Sequence, residues 1–225
     1  MTLSIPELIL IDLDGTLIDT VPDLAFAIDG MMSQLELPQR GEEKVRHWVG
    51  NGIERLVKRA LLDQMEGEPA EDLFKAALHL FKVLYASTNG HLSQLYPGVR
   101  PGLEWLQSQN YRLACITNKA EQFTIPLLKA LKIDHYFRLI ISGDTLPRKK
   151  PDPLPLLHAA EFFQVDPAQS LMLGDSINDV QAANAAGFQI ICVSYGYNHG
   201  LDIRTANPLA VIDSLTQLNE MLSTQ

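Results

Sequence analysis

The run Leu8-Ile9-Leu10-Ile11-Asp12-Leu13-Asp14-Gly15-Thr16 decides how this chain is read. Its apolar half is continuous rather than alternating, the mark of a strand buried on both faces. Its end turns abruptly acidic, and Asp12 and Asp14, two apart, point the same way from an extended backbone. Four further short runs share this character, at 112–117, 138–142, 171–174 and 189–194, and each stops at a polar or glycine-bearing loop. Helix-patterned stretches at 121–131, 153–163 and 179–186 lie between the last four. Such alternation predicts right-handed βαβ units and an α/β fold, a doubly wound, Rossmann-like parallel sheet. A sixth run at 209–212 adds an edge strand before a last helix near 215–222.

The rhythm fails between the first and second strands. Residues 19–95 hold no evident strand and read as four helices, at 22–35, 42–49, 53–63 and 69–86. In the last of these, Leu73, Ala77, Leu80, Phe81 and Leu84 follow the spacing of one apolar helix face. A crossover needs only about a dozen residues. The sequence therefore predicts an inserted helical cap domain at 19–95, hinged near 17–19 and Tyr96-Pro97-Gly98. The catalytic core domain would be 1–18 together with 96–225.

Composition narrows the function. The chain has 225 residues, 46% hydrophobic and 20% charged, with 14 glycines and 13 prolines, which excludes disordered and collagenous classes. A net charge of -9 argues against gripping nucleic acid or an anionic membrane. No apolar run approaches the roughly 18 residues of a membrane span. The stretch Met1-Thr2-Leu3-Ser4-Ile5-Pro6-Glu7 lacks the features of a secretory signal. Cys115 and Cys192, both in strand-like runs, are expected to be reduced, and the protein cytoplasmic.

Ligands of a parallel sheet bind outside the carboxyl ends of its strands, where strand order reverses. With the order 3-2-1-4-5, Asp12, Asp14 and Asp175 meet in one crevice and Thr117 flanks them. Three carboxylates at one mouth repel each other unless a cation sits among them. A hard divalent ion, Mg²⁺ above all, suits such oxygen ligands. Each aspartate alone could instead cap a turn or helix.

Asp12-Leu13-Asp14-Gly15-Thr16 after an apolar strand resembles the first motif of the haloacid dehalogenase superfamily of phosphohydrolases. Thr117 resembles the second, Lys150 in Lys149-Lys150-Pro151-Asp152-Pro153 the third, and Gly174-Asp175 with Asp179 the fourth. The resemblance spans essentially the whole chain, and the helical insertion resembles the family's small cap. It implies a phosphomonoesterase working through an aspartyl-phosphate on Asp12, with Asp14 as general acid and base and Lys150 screening charge. It implies phosphate binding by Gly15, Thr117, Asn118 and Lys150. It implies Mg²⁺ held by Asp12 and Asp175 and by the backbone carbonyl of Asp14. Asp179 would orient Lys150 or metal-bound water. Halide leaves without a proton, so an acid at position 14 favours phosphate ester or anhydride chemistry over dehalogenation.

Further stretches resemble the bacterial phosphoglycolate phosphatases: Val49-Gly50-Asn51-Gly52, Thr117-Asn118-Lys119 with Pro126-Leu127-Leu128, Lys149-Lys150-Pro151, and Ser194-Tyr195-Gly196-Tyr197-Asn198-His199-Gly200. Asp152 stands where many relatives carry histidine. This likeness implies hydrolysis of 2-phosphoglycolate, a small-molecule ester, by a monomer or homodimer. Other phosphatases of sugar or amino-sugar phosphates, a pyrophosphatase and a β-phosphoglucomutase-like mutase share the same motifs. A phospho-accepting receiver module also places acids, a threonine and a lysine at a sheet mouth, but is shorter and has no insertion.

A substrate carboxylate would need a partner in the cap, where Arg46, His47, Asn51, Arg55, Lys58 and Arg59 cluster around a Gly50-Asn51-Gly52 break. Asn51 or Arg55 is expected to touch substrate, while a solvated helix face is the plainer account of each cation. Asp144 reads as a loop cap, Lys149 as a solvated neighbour, His91, His135 and His158 as surface or packing residues, and Trp48 and Trp105, in helix-like segments, as packing residues. The loop 195–200 either borders the site or is a plain turn.

Overall fold

Strand β1 (Leu8–Ile11) is wholly buried, and its residues alternate between two hydrophobic layers: Ile9 and Ile11 on one side, Leu8 and Leu10 on the other. The computed structural model describes residues 3–223, so Met1 and Thr2 of the stretch read for a secretory signal lie outside the described residues. After β1 come β2 (Ile18–Asp19), helices α1 (Val21–Gln34), α2 (Gly41–Trp48), α3 (Ile53–Leu62) and α4 (Glu71–Thr88), and then β3 (Gln94–Leu95). The chain continues through α5 (Val99–Ser108), β4 (Arg112–Ile116), α6 (Glu121–Ala130), β5 (Leu139–Ile141) and α7 (Leu154–Phe163). It ends with β6 (Ser170–Gly174), α8 (Ile177–Ala186), β7 (Gln189–Val193), β8 (Ala210–Ile212) and α9 (Gln217–Ser223).

Six strands pair in parallel in the order β5-β4-β1-β6-β7-β8. β1 therefore lies at the switch point, with β4 and β6 as neighbours, as the acid pattern requires. One layer packs α5, α6 and α9 on the sheet through Leu103, Leu127 and Leu218; the other packs α7 and α8 through Leu156, Ala160 and Ala183. Cys115 and Cys192 are buried free thiols, one in each layer. No helix among the described residues is long and apolar enough to cross a membrane.

Helices α1–α4 share a third cluster, built on Ile28, Met31, Val57, Phe81 and Tyr85, which Phe123 of α6 and Tyr197 join from the sheet side. The structure corrects the strand-free reading of 19–95. Its two ends pair antiparallel, Ile18 with Leu95 and Asp19 with Gln94, in a ribbon too short to leave a sequence pattern. Buried Asp23 ties the same base together, accepting from the backbone N–H groups of Gly90, Leu92 and Ser93 and from the Ser93 hydroxyl. In α4 the buried stripe is Ala77, Phe81 and Tyr85, and Leu73 is 39% exposed, because α4 packs on α1 and α3 through a narrower face than its leucines suggest.

Candidate active site

The acids of β1 sit where the strand stops. Asp12 still follows the ladder, its N–H donating to the Leu173 carbonyl, and the chain then turns at Gly15, whose φ is +89°. A Cβ at Gly15 would come within 2.3 Å of Asp175 Oδ2, so only glycine allows this approach. Asp175 follows β6 beside it, and Thr117 follows β4 on the other flank. Asp12, Asp14, Thr117, Asn118, Lys150, Asp175 and Asp179 all line one cleft.

Lys150 is the hub. Its Nζ lies 2.7 Å from Asp12 Oδ1 and 2.7 Å from Asp179 Oδ1, and donates to the Ile116 carbonyl at 2.6 Å. Burial opposes its charge, but Asp12 and Asp179 outweigh burial and hold the ammonium above its ordinary pKa. Asp179 Oδ2 accepts from Asp175 N, Ser176 N and Ser176 Oγ, closing a capping box on α8. Both oxygens of Asp179 are so engaged, Oδ1 on Lys150 and Oδ2 at the start of α8.

Asp12 and Asp175 are in a different condition. Burial is the largest influence on Asp12 and raises its carboxyl to about 7, against the pull of Lys150 and with the push of Asp179. Asp175 rises well above the ordinary carboxylate range, through burial first and then the charges of Asp12 and Asp179. The donors recorded on Asp175 are uncharged, Thr16 Oγ1 at 3.0 Å and the Tyr197 backbone N–H at 2.5 Å. Ligand oxygens of Asp12, Asp175 and Asp179 lie within 4.8 Å of one another. An all-oxygen set short of positive charge fits a hard divalent cation, with Asp12 and Asp175 as the side chains to hold it.

Asp14 has its own lysine. Lys119 Nζ lies 3.1 Å from Asp14 Oδ1 and donates at 2.5 Å to the hydroxyl of Tyr85, which reaches across from α4. Burial disfavours this ammonium too, yet Asp14 and Tyr85 hold it above its ordinary pKa. Asn118 bridges to the helical segment, its Nδ2 donating to the carbonyls of Lys150 and Gly50. Asn118 Oδ1 is buried and, among the described residues, has no hydrogen-bond partner.

The expected cap contacts are not brought to the cleft. Val49, Gly50, Gly52, Ile53 and Leu56 line it; Asn51 and Arg55 do not. Asn51 offers its backbone carbonyl to Lys149 at 3.2 Å, and Arg55 turns outward to Glu66, Glu68 and the Gly67 carbonyl. Nearby carboxylates on its own side of α3 outcompete a distant cleft for that guanidinium. Asp144 caps the Glu121 N–H, and Asp152 accepts from Leu154 N and pairs with Arg148.

Lys119, Tyr85 and Asn178 line or support the cleft without having been expected there; Asn178 donates from Nδ2 to the Gly50 carbonyl. Lys119 directly follows Asn118, so a cation after a strand end was the available signal. Nothing local in α4 marks Tyr85 as a partner for residue 119. The loop 195–200 does border the site: Tyr197 binds Asp175 through its N–H and Asp19 through its hydroxyl, and Asn198 Oδ1 caps the start of α8 at Ile177.

Residues 9–193 match the profile of the haloacid dehalogenase-like hydrolases. The chain is 62% identical over 218 residues to the phosphoglycolate phosphatase of Nitrosococcus oceani, covering 97% of each chain. It is 51% identical to that of Pseudomonas putida, covering 96% of this chain and 79% of the relative. A crystal structure of a predicted phosphoglycolate phosphatase from Haemophilus somnus superposes with a TM-score of 0.90 at 38% identity, over 96% of this chain and 97% of the other.

Proposed function

The chain belongs to the haloacid dehalogenase-like hydrolases, and on that premise we propose that it is a cytoplasmic, Mg²⁺-dependent phosphomonoesterase converting 2-phosphoglycolate to glycolate and phosphate. Asp12 attacks phosphorus in line with the leaving oxygen, forming an aspartyl-phosphate as the P–O bond to glycolate breaks. Water then cleaves that intermediate, so one hard displacement becomes two easier ones. Asp14 protonates the departing glycolate oxygen and takes a proton from the incoming water, work typically worth about 10²–10⁴ in rate.

Lys150 fixes the attacking carboxylate and presents its charge to the phosphoryl oxygens, while Asp179 fixes Lys150. Thr117 and the backbone N–H of Asn118 cradle those oxygens; the Gly15 N–H, expected to join them, donates instead to the Ile18 carbonyl at 2.9 Å, within the turn that ends the acidic motif. The side chains of Asp12 and Asp175 and the backbone carbonyl of Asp14 would hold Mg²⁺, which would supply positive charge between an anionic carboxylate and an anionic phosphate. Residues 19–95 act as a cap domain on the core. Leu24, Val49 and Leu56 give the cleft an apolar roof that excludes bulk water.

The observation that carries this reading is the pair of acids at 12 and 14 in one cleft, each bound to its own buried lysine. One stands ready to attack and the other to move a proton. The test is phosphate release from 2-phosphoglycolate beside sugar phosphates, pyrophosphate and β-glucose 1-phosphate, with a chelator control. Phosphoglycolate should lead by roughly tenfold or more, a difference of about 1.4 kcal/mol in transition-state binding. Asp12→Asn should lower kcat by more than about 10⁴-fold. Full activity in that variant would refute the mechanism, and another ester in the lead would refute the substrate.

A further inference from the structure

A substrate with a carboxylate beside its phosphate brings a second anion into the cleft, and that anion needs its own donor. The cations of α2 and α3 do not supply it. Lys44 is held by Asp63, Arg46 by Asp19 and Glu42, Arg55 and Lys58 by Glu68, and Arg59 by the carbonyls of Trp48 and Met65. None of the five lines the cleft, whose lining cations are Lys119 and Lys150. An ammonium has three N–H donors. Those of Lys150 are matched by Asp12, Asp179 and the Ile116 carbonyl.

Lys119 differs. Its side chain is 2% exposed, and its recorded partners are two, Asp14 Oδ1 and the Tyr85 hydroxyl. Among the described residues its third donor meets no acceptor. Asp14 faces the leaving oxygen of the ester, and in glycolate the carboxyl carbon is one methylene away from that oxygen. A cation bonded to Asp14 therefore stands on the leaving-group side of the phosphorus, beside the place the second anion must occupy.

We propose that the Lys119 ammonium is the subsite for the carboxylate of the leaving group, and that Tyr85 is the positioning residue that aims it. This rests on the 2-phosphoglycolate reading and names its specificity determinant. Tyr85 is fully buried, stacked on Phe81 and packed against Phe123, so its hydroxyl is a fixed acceptor for Nζ. Because Tyr85 belongs to α4, the subsite is assembled from both the sheet end and the helical insertion. An ester without the carboxylate leaves a buried donor unmatched and gains less.

The experiment compares kcat/KM for 2-phosphoglycolate and for ethyl phosphate, which keeps the ester and lacks the carboxylate. Wild type, Lys119→Met and Tyr85→Phe are assayed as full-length chains with saturating Mg²⁺. Lys119→Met slows both substrates, since Lys119 also touches Asp14, but the preference for phosphoglycolate should fall by roughly 10- to 100-fold. A proportional loss on both esters, with the preference intact, overturns the proposal. Should Lys119→Met fail to fold, Tyr85→Phe decides, because it removes one hydroxyl and keeps the ring. Its preference should drop about threefold or more, with the change in KM, and an unchanged preference overturns the proposal. A wild type that shows no preference refutes the substrate reading itself, and the subsite falls with it.

Discussion

Charged side chains occur in two settings in this molecule, at the mouth of the sheet and on helices α2 and α3, and distance does not tell them apart. Lys150 lies 2.7 Å from Asp12, and Lys44 lies 2.6 Å from Asp63. Water tells them apart: the lysine and aspartate of the first pair are 2% and 11% exposed, those of the second 50% and 39%. Exposed pairs are screened and contribute little, whereas a buried charge that loses its partner is left without compensation. Arg59 marks the border between the settings. It is 5% exposed, is bonded to carbonyls rather than a carboxylate at close range, and falls to about 10, through burial first and then the charge of Arg55.

The comparison breaks most visibly at the hub. Lys150→Met should destabilise the protein by about 3–5 kcal/mol, because Asp12 and Asp179 lose their common cation. Urea titration with Mg²⁺ absent measures this, and a loss below about 1 kcal/mol would mean that water reaches the pair after all. Gly15→Ala comes next, at about 1–3 kcal/mol, since it combines a positive φ with an approach of 2.3 Å to Asp175. Its signature is a thermal shift together with weakened Mg²⁺ protection.

The buried carboxylates set a pH dependence whose sign is fixed. Asp12 is raised to about 7 in the folded protein, against about 3.9 in an unfolded chain. The native state therefore holds the proton more tightly, and metal-free stability should fall as pH climbs from about 4 through 7. Mg²⁺ should raise the melting temperature more at pH 8 than at pH 5. A metal-free melting curve that rises across this window would contradict the burial argument. The smallest effect belongs to the helical side. Arg55→Ala should leave KM for phosphoglycolate within about twofold, since its partners are Glu66 and Glu68 at the surface.

Much of this was legible in the sequence for a physical reason. Strands buried on both faces must be continuously apolar, so the four inner strands announced themselves, the half-buried edges β5 and β8 kept short apolar runs, and the inner strand ends carried Asp12, Asp14, Thr117 and Asp175. What stayed hidden depends on partners far apart in the chain. The contact between Lys119 and Tyr85 joins positions 34 apart through two elements with separate local patterns. Arg55 looked like an anion binder because a list of residues does not show which way α3 faces. Helix α5 also escaped. Pro101 and Gly102 interrupt its pattern, yet Gly102 is required there, since a Cβ would meet Leu215 Cβ at 2.6 Å.

The short ribbon joining Ile18 to Leu95 has a consequence for how freely the insertion can vary in length. It holds the two ends of the excursion together, so the sheet experiences a closed loop rather than a long tether. The entropy of closing a flexible loop grows only with the logarithm of its length, and doubling it costs about 0.6 kcal/mol. Asp23 reinforces the closure with four hydrogen bonds from the returning strand's approach, Gly90 to Ser93. Helical turns can be added to or trimmed from the far end at little thermodynamic cost to the sheet, provided that this base is left intact.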